Sequence, residues 1–541
     1  MKKYKRIKDP IYGYIDIPTI YMNGIIDTAA FQRLRRIIQT SYSPLYSSAV
    51  HNRFVHSMGV YHLGEIASIQ ITREIKRKFQ IEFDVDRIGQ VFMIACLLHD
   101  VGHAPFSHTG EAFYLDDNKE YTILHDKLVE VVNSDSFVKD VPREKTCAAA
   151  PHEIMSSIVG IKEFNQFFAD AAEREFFARC ITGYRYSDKG IEIDIKNCFI
   201  QLLNSKVIDV DKLDYLIRDA YITGFDTVNI DYERLLNALT ITRLENENRL
   251  ELAYDKNAVS VIENVVYAHD AERKWIQSHP IVIYETYILQ HIIGNLCSTM
   301  TVNEKKLFSL ESLGAEGQEF AENIKIRYMS DDDIVYLMKN IYPNQLTEEY
   351  LDRRHRRHPV WKSEAEYKAL FLGMASGGTL LTEFESAMEA TAKYLGGRSD
   401  IWTIDEKLLE IVTNELAEIE EMDLDPVSKM VQKKDKEKIL KVVKCLGEYA
   451  KEKRIKYDFI IIRASQFNSG FGKPDFSATN IVFPMIDGKE QIAKVGDIVS
   501  SLKAREKDRD NFFYLFYKRD GENTAEIDSQ ELCKILMREF F

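Results

Sequence analysis

The chain has 541 residues, with 71 Lys and Arg against 85 Asp and Glu and a formal net charge of −14. This length suggests two to four structural units, and 45% apolar and 29% charged residues with only 25 Gly and 12 Pro exclude collagen-like and disordered classes. The acidic balance argues against coating nucleic acid through bulk charge, and leaves room for a local anion site. The seven cysteines (Cys96, Cys147, Cys180, Cys198, Cys297, Cys445 and Cys533) are odd in number, scattered and free of any CxxC. They point away from a disulfide framework or a cysteine zinc site and towards a reducing, cytoplasmic setting. Met1-Lys2-Lys3 runs into a polar, aromatic stretch, and the longest apolar run, Val91–Leu98, is too short to span a bilayer, so no membrane partner is expected.

In chain order, apolar residues at three- and four-residue spacing predict helices over 28–39, 57–80, 88–100, 152–159, 207–220 and 255–300. Ile88–Leu98 is apolar nearly all round, as a buried central helix would be, and Gly102 and Pro105 then impose a loop. Residues 112–150 are polar and read as a loop or small insertion, and Gln432–Lys441 as a solvated helix face. After about residue 456, Phe459–Ile462 and Phe512–Tyr517 are short apolar runs that suggest strands, with Gly470, Gly472 and Pro474 marking loops and Ser529–Glu539 a final helix. The expected class is mainly α: a helical core at 1–300, a helical accessory region at 301–455 and a small α+β lobe at 456–541.

Eight of the 13 histidines fall between His51 and His152. An Asp ending a buried apolar helix costs several kcal/mol, roughly, unless it is paired or bound to a metal. Imidazole with carboxylate suits Mn, Fe, Zn, Ni or Mg-type ions. The order H…HD…D resembles the HD superfamily of metal-dependent phosphohydrolases. The strings DPIYGYIDI (9–17), IDTAAFQRLRRIIQ (26–39), HNRFVHSMGVYHL (51–63), HDVGHAPFSH (99–108) and DVDKLDYLIRDA (209–220) are similar, more narrowly, to the HD-domain deoxynucleoside triphosphate triphosphohydrolases, which include bacterial dGTPases and the vertebrate sterile-alpha-motif HD enzyme.

The resemblance implies a divalent metal ion held by His56, His99, Asp100 and Asp211, which would acidify water and polarise a phosphoryl oxygen. It implies attack at the α-phosphorus of a dNTP, giving deoxynucleoside and tripolyphosphate. His103 and His108 would lie against the α-phosphate and the leaving 5′ oxygen, with His152 paired to Glu111 and His125 a rival for the His152 role. Arg53, one helical turn before His56, would touch phosphate, Lys212 would hold a phosphate, Tyr215 would pack on the sugar, and Asp219 and Gln39 would meet the 3′-hydroxyl. Asp27, Gln32 and Arg35 match positions that read guanine in an activating nucleotide. The competing reading is a helix with a solvated arginine face. A homo-oligomer (dimer, tetramer or hexamer) is implied by the family alone.

One stretch departs from the family pattern. At 273–295 isoleucines replace an expected arginine and lysine, leaving His291, with Tyr284, Tyr287, Arg273 and Lys274 as substitutes, and Thr40 stands where a leucine would exclude a ribose hydroxyl. The alternative activity is therefore an HD phosphodiesterase or phosphatase acting on oligonucleotides or other nucleotides. The cluster Arg353–His358 reads either as a phosphate or nucleic-acid patch or as an exposed helix end. Residues 1–56 carry nine Lys and Arg against three Asp, so positive charge gathers where phosphate-bearing ligands are expected.

Overall fold

Asn52 sets up the first long helix: its side chain accepts the Val55 amide and starts α1 (Arg53–Lys78). Asp84 does the same for α2 (Val85–Leu98), whose residues Val91, Phe92, Ile94, Ala95, Leu97 and Leu98 are all buried, as its all-round apolar sequence requires. The helices α3 (Pro151–Phe164), α4 (Ala171–Thr182), α5 (Ile191–Leu203) and α6 (Val210–Thr223) follow, and α4 and α6 end on left-handed Gly183 and Gly224. The computed structural model describes residues 3–115, 122–141, 149–225, 229–244, 249–301, 305–320, 324–372, 378–398, 400–422, 425–464, 474–485, 490–499, 501, 512–519 and 527–538. Helices dominate these residues, and the fold is mainly α. Among them no helix is long and apolar enough to cross a membrane. Gly470, Gly472 and Cys147 lie outside the described residues.

The chain divides into two units that interleave in sequence. Unit 1 is Met1–Arg273, Met300–Tyr336 and Asn468–Glu506, and unit 2 is Lys274–Thr299, Leu337–Phe467 and Lys507–Phe541. These units do not coincide with the three consecutive segments expected from the sequence. Residues 456–541 do not form one lobe, because their strands join different sheets. In unit 1, β1 (Tyr4–Asp9) and β2 (Gly13–Pro18) form an antiparallel hairpin, while β3 (Leu239–Leu244), β4 (Arg249–Asp255), β5 (Asn480–Pro484) and β6 (Glu490–Lys494) form a sheet in the order β6-β5-β4-β3. The β4–β5 pairing is parallel and the others antiparallel.

In unit 2, the expected strands Phe459–Ala464 and Phe512–Tyr517 pair antiparallel, with His358–Pro359 on the far edge of Phe512–Tyr517. Every residue of Phe512–Tyr517 is buried, so it runs as an unbroken apolar central strand. Trp361 is wholly buried and donates its indole N–H to the Phe513 carbonyl at 2.7 Å.

Three expected elements change. The helix foreseen over 28–39 is only Ala29–Gln32 with a 3-10 turn at Arg33–Arg36, because Arg33 turns inward to the carbonyls of Val101, His103 and Met329 and Ile38 then pairs with Asn52. The presumed loop at 112–150 contains helices Thr122–Val132 and Asp135–Asp140, whose Leu124, Leu128, Val132 and Phe137 are buried under an otherwise polar face. The single helix foreseen over 255–300 breaks into Val259–Glu272, a π turn at Arg273–Gln277 and Pro280–Met300, with proline starting the last piece.

Candidate active site

The four expected metal ligands come from three helix ends. His56 sits in the first turns of α1, His99 caps the C-terminus of α2 with Asp100 next to it, and Asp211 sits in the first turn of α6. Their donor atoms converge. His56 Nε2 lies 3.3 Å from His99 Nε2, 2.9 Å from Asp211 Oδ1 and 3.7 Å from Asp100 Oδ2. His99 Nε2 lies 3.5 Å from Asp100 Oδ1 and 3.7 Å from Asp211 Oδ1. His56, His99 and Asp100 are buried, and only Asp211 is partly open.

Each imidazole is anchored by its other nitrogen. His56 Nδ1 meets Asp214 Oδ2 at 2.7 Å and His99 Nδ1 meets the Cys96 carbonyl at 2.9 Å. Those partners leave both Nε2 lone pairs aimed into one space flanked by two carboxylates, an arrangement that a shared cation satisfies. Burial opposes a charge on His56, yet hydrogen bonds to Asp211 and Asp214 outweigh it and push its pKa up to about 10. Burial likewise raises Asp100 and Asp211, and is overcome by Arg53 and the histidines at Asp100 and by His56 and His99 at Asp211, so both stay ionised. The donor set fits a divalent ion of the Mn, Fe, Zn or Ni type.

Asp214 is itself braced from a distant part of the chain. Arg218 reaches both of its oxygens at 3.0 Å, Tyr12 donates its hydroxyl to Oδ1 at 2.8 Å, and Asp9 holds Arg218 at 3.1 Å. Asp9 and Tyr12 belong to the turn of the β1–β2 hairpin, where Asp9 also accepts the amides of Ile11 and Tyr12 and Gly13 adopts φ +77°. α1 must approach α6 closely for this: a Cβ on Gly59 would lie 1.8 Å from Asp214 Oδ1. Asp214 and Arg218 stand one turn apart within DVDKLDYLIRDA, a spacing that marks a helical ion pair, yet the sequence reading assigned them no role.

A second group lies on the loop after α2 and on the start of α3. His103, His108, Glu111 and His152 bring ligand-type atoms within 4.8 Å of one another. The His103 ring stacks on His152 at 4.4 Å between centroids, and His108 stands edge-on to each at 5.1 Å. Glu111 accepts from His152 and, at 3.2 Å, from His108. Gly102 lets this loop lie against α3, since a Cβ there would come within 2.3 Å of the Met155–Ser156 backbone. Phe106 and Ser107 take left-handed φ values of 57° and 54°, and Asp331 holds the turn by accepting Phe106 N at 2.7 Å and Ile38 N at 2.8 Å. No sequence spacing pointed to Asp331. Burial opposes protonation of His152, but Glu111 raises it to about 9, whereas burial and neighbouring cations drive His103 well down. His125 is elsewhere, with Nε2 at 3.1 Å from the Tyr184 hydroxyl.

The residues expected to touch substrate divide. Arg53 is spent on protein groups: it meets Asp100 at 2.8 Å, Ser107 at 2.9 Å and the Gln39 carbonyl at 3.4 Å. Lys212 is held by Asp209 at 2.6 Å and the Ser205 carbonyl at 2.7 Å. Both therefore brace the site in this structure instead of presenting free cations. Gln39 Oε1 and Thr40 Oγ1 are buried without partners, Gln39 N bonds the His51 carbonyl, and His51 approaches Asp219 to 2.7 Å. Tyr215 stands partly exposed on α6 between Asp211 and Asp219. Gln32 bridges the Ile26 carbonyl and Arg35, and Asp27 pairs with Lys5 at 3.6 Å, a cation the sequence reading left out.

Other candidates fall within unit 2 and serve its interior. Tyr284 donates to Glu349, and Tyr287 to the Trp402 carbonyl. In the Arg353–His358 cluster Arg353 pairs with Glu285, Arg354 with Asp352, and Arg357 is fully buried against Glu349 and Asp458. It is not a continuous free basic patch.

Residues 53–175 match the family model of the HD domain. The matched segment runs from the start of α1 into the first turn of α4 and takes in His56, the His99-Asp100 pair and the four-residue imidazole–glutamate group. The chain is similar to the human deoxynucleoside triphosphate triphosphohydrolase SAMHD1, 28% identical over 333 residues that make up 58% of this chain and 47% of that protein. It is similar to the Dictyostelium discoideum SAMHD1 homolog, 32% identical over 240 residues (43% and 39% of the two chains), and to the uncharacterized protein MG461 of Mycoplasma genitalium, 30% identical over 263 residues (48% and 52%). The chain spans about half the length of the curated relatives it matches. The crystal structure of a hypothetical protein from Aquifex aeolicus shares the fold, with a TM-score of 0.52 at 17% identity over 99% of this chain and 100% of that one. The resemblance drawn from the motifs is thus borne out for the HD domain and for these relatives.

Proposed function

We propose that the protein is a metal-dependent phosphohydrolase that cleaves deoxynucleoside triphosphates to deoxynucleoside and tripolyphosphate. The observation that carries this reading is the pair of adjoining groups: converging His56, His99, Asp100 and Asp211, and beside them an imidazole–glutamate cluster able to hold a proton. A divalent cation bound by the first four would supply Lewis acidity towards a phosphoryl oxygen and acidify an attacking water. Asp214 and the Cys96 carbonyl keep the two imidazoles pointed inward, and Arg53 fixes Asp100. His152, kept protonated by Glu111, can pass a proton through His108 to the departing 5′ oxygen, while neutral, buried His103 presents a polar face to the phosphate. The unpartnered Gln39 oxygen, with Asp219 and His51, suits a sugar hydroxyl, and Tyr215 offers a ring to the sugar.

The N-terminal cluster of Asp27, Gln32 and Arg35, with Lys5, is read as the place for an activating nucleotide, which would act within a homo-oligomer. The test is a dNTP panel, as single nucleotides and as pairwise mixtures, with Mn²⁺ or Mg²⁺, resolved by chromatography. Tripolyphosphate and deoxynucleoside are expected. Orthophosphate alone, or cleavage of an oligonucleotide that His99→Ala abolishes, would replace this reading with an HD phosphatase or phosphodiesterase. The second reading draws on Tyr284 and Tyr287 being engaged in unit 2.

A further inference from the structure

His103 poses a problem that the proposed reaction leaves open. Its ring is completely buried, and neither nitrogen has a hydrogen-bond partner. An imidazole buried with both nitrogens unsatisfied costs free energy that a native structure seldom leaves uncompensated. Its neighbours are two more imidazoles and one carboxylate, and one ligand atom from each of the four lies within 4.8 Å of the others. His108 and Glu111 are one helical turn apart, 3.2 Å between Nδ1 and Oε1, and Glu111 also meets His152.

We infer that His103, His108, Glu111 and His152 form a second cation site, distinct from the HD group and selective for a zinc-type ion. Three imidazole nitrogens and one carboxylate oxygen are a borderline donor set that suits four-coordinate zinc, whereas magnesium and calcium need more oxygen ligands. Metal–ligand bonds of ~2.0–2.1 Å set donors about 3.4 Å apart in a tetrahedron, so the wider pairs must close by up to roughly 1.4 Å. His108 can supply that movement, because its side chain is 66% exposed. Two of the four are fixed in place. His103 follows Asp100 in a turn closed by a 2.9 Å bond from its amide to the Asp100 carbonyl, and His152 stands in the first turn of α3, against which Gly102 packs.

Occupancy would take the lone pairs of the same groups that handle the proton in the proposed hydrolysis, a consequence that rests on that reading. Zinc bound there should therefore inhibit a manganese- or magnesium-supported reaction. The binding claim is tested separately, by equilibrium dialysis of the full chain against zinc followed by metal analysis. Wild type should hold two zinc ions per chain, and His108→Ala and Glu111→Gln one each. His99→Ala, which damages the other group, should also hold one. Circular dichroism melting checks that each variant is folded, and two variants are used so that a folding defect in one leaves the other decisive. A single zinc in wild type, or two zinc ions retained in both His108→Ala and Glu111→Gln, overturns the site. Two zinc ions without any dNTP turnover would keep the site and discard the proposed reaction.

Discussion

Both units bury charged side chains, but they complete the resulting networks differently. In unit 2, Arg357 meets Glu349 and Asp458, Glu349 also receives Tyr284 and Lys518, and Asp458 also receives Thr403, so these charged groups all find partners among themselves. In unit 1, the chain of contacts runs from Asp9 through Arg218 and Asp214 to His56 and then stops, with nitrogen and oxygen atoms facing one another across a small space. A buried charge alone is therefore a poor sign of a site. What distinguishes the unit 1 network is the polar capacity left over at its end.

Substitutions can break that contrast. Arg357→Ala should have the largest effect, about 3–5 kcal/mol of lost stability, because it strands Glu349 and Asp458 in the interior. All three tryptophans (Trp275, Trp361 and Trp402) lie in unit 2, so their fluorescence reads that loss directly, and the metal content of the protein should not change. Asp214→Asn should do the reverse. It should weaken metal binding about 10–100-fold, measured by competition with a chelator, while the tryptophan melt stays in place, because the group orienting a metal-ligating histidine tunes affinity on that scale.

The smallest effect sharpens the comparison through pH. Burial holds His291 in unit 2 down to about 4, and it is only 6% exposed. The folded value lies below the unfolded value of ~6.5, so neutral His291 contributes stability that is present above that pH and lost as pH falls towards about 4. From pH 7 to 5 this one group should cost unit 2 roughly 2 kcal/mol. His291→Leu should flatten that part of the tryptophan melting profile.

The convergence of His56, His99, Asp100 and Asp211 was legible because these residues carry their own signal: a His-Asp pair closing an all-apolar helix and a histidine and an aspartate in helix-starting strings. The supports were less legible, for different reasons. Asp214 and Arg218 showed the spacing of an ion pair but look like any solvated helix face until α1 is packed on them through Gly59. Asp331 sits in an Asp-Asp-Asp run that resembles an ordinary acidic helix start, and its partners Ile38 and Phe106 are more than two hundred residues away. Arg53 and Lys212 were read as free cations, because sequence shows a charge but not the carbonyls and carboxylates that consume it. The interleaving of the units was hidden for a related reason: β5 and β6 have the texture of the strands beside them in sequence, and only pairing with β4 assigns them to unit 1.

The hairpin that holds Asp214 has a consequence for how the protein is made. Tyr12 and Asp214 are 202 residues apart, and Asp9 and Arg218 are 209 apart. At ~5–20 residues per second, a ribosome that has finished the hairpin needs about 10–40 s more to reach Arg218. His56 is made early in that interval, and its Asp214 partner follows only 158 residues later. A cation held in the finished geometry would therefore be captured late in synthesis, and a newly made chain that met an ion sooner would offer it His56 without the Asp211 and Asp214 carboxylates.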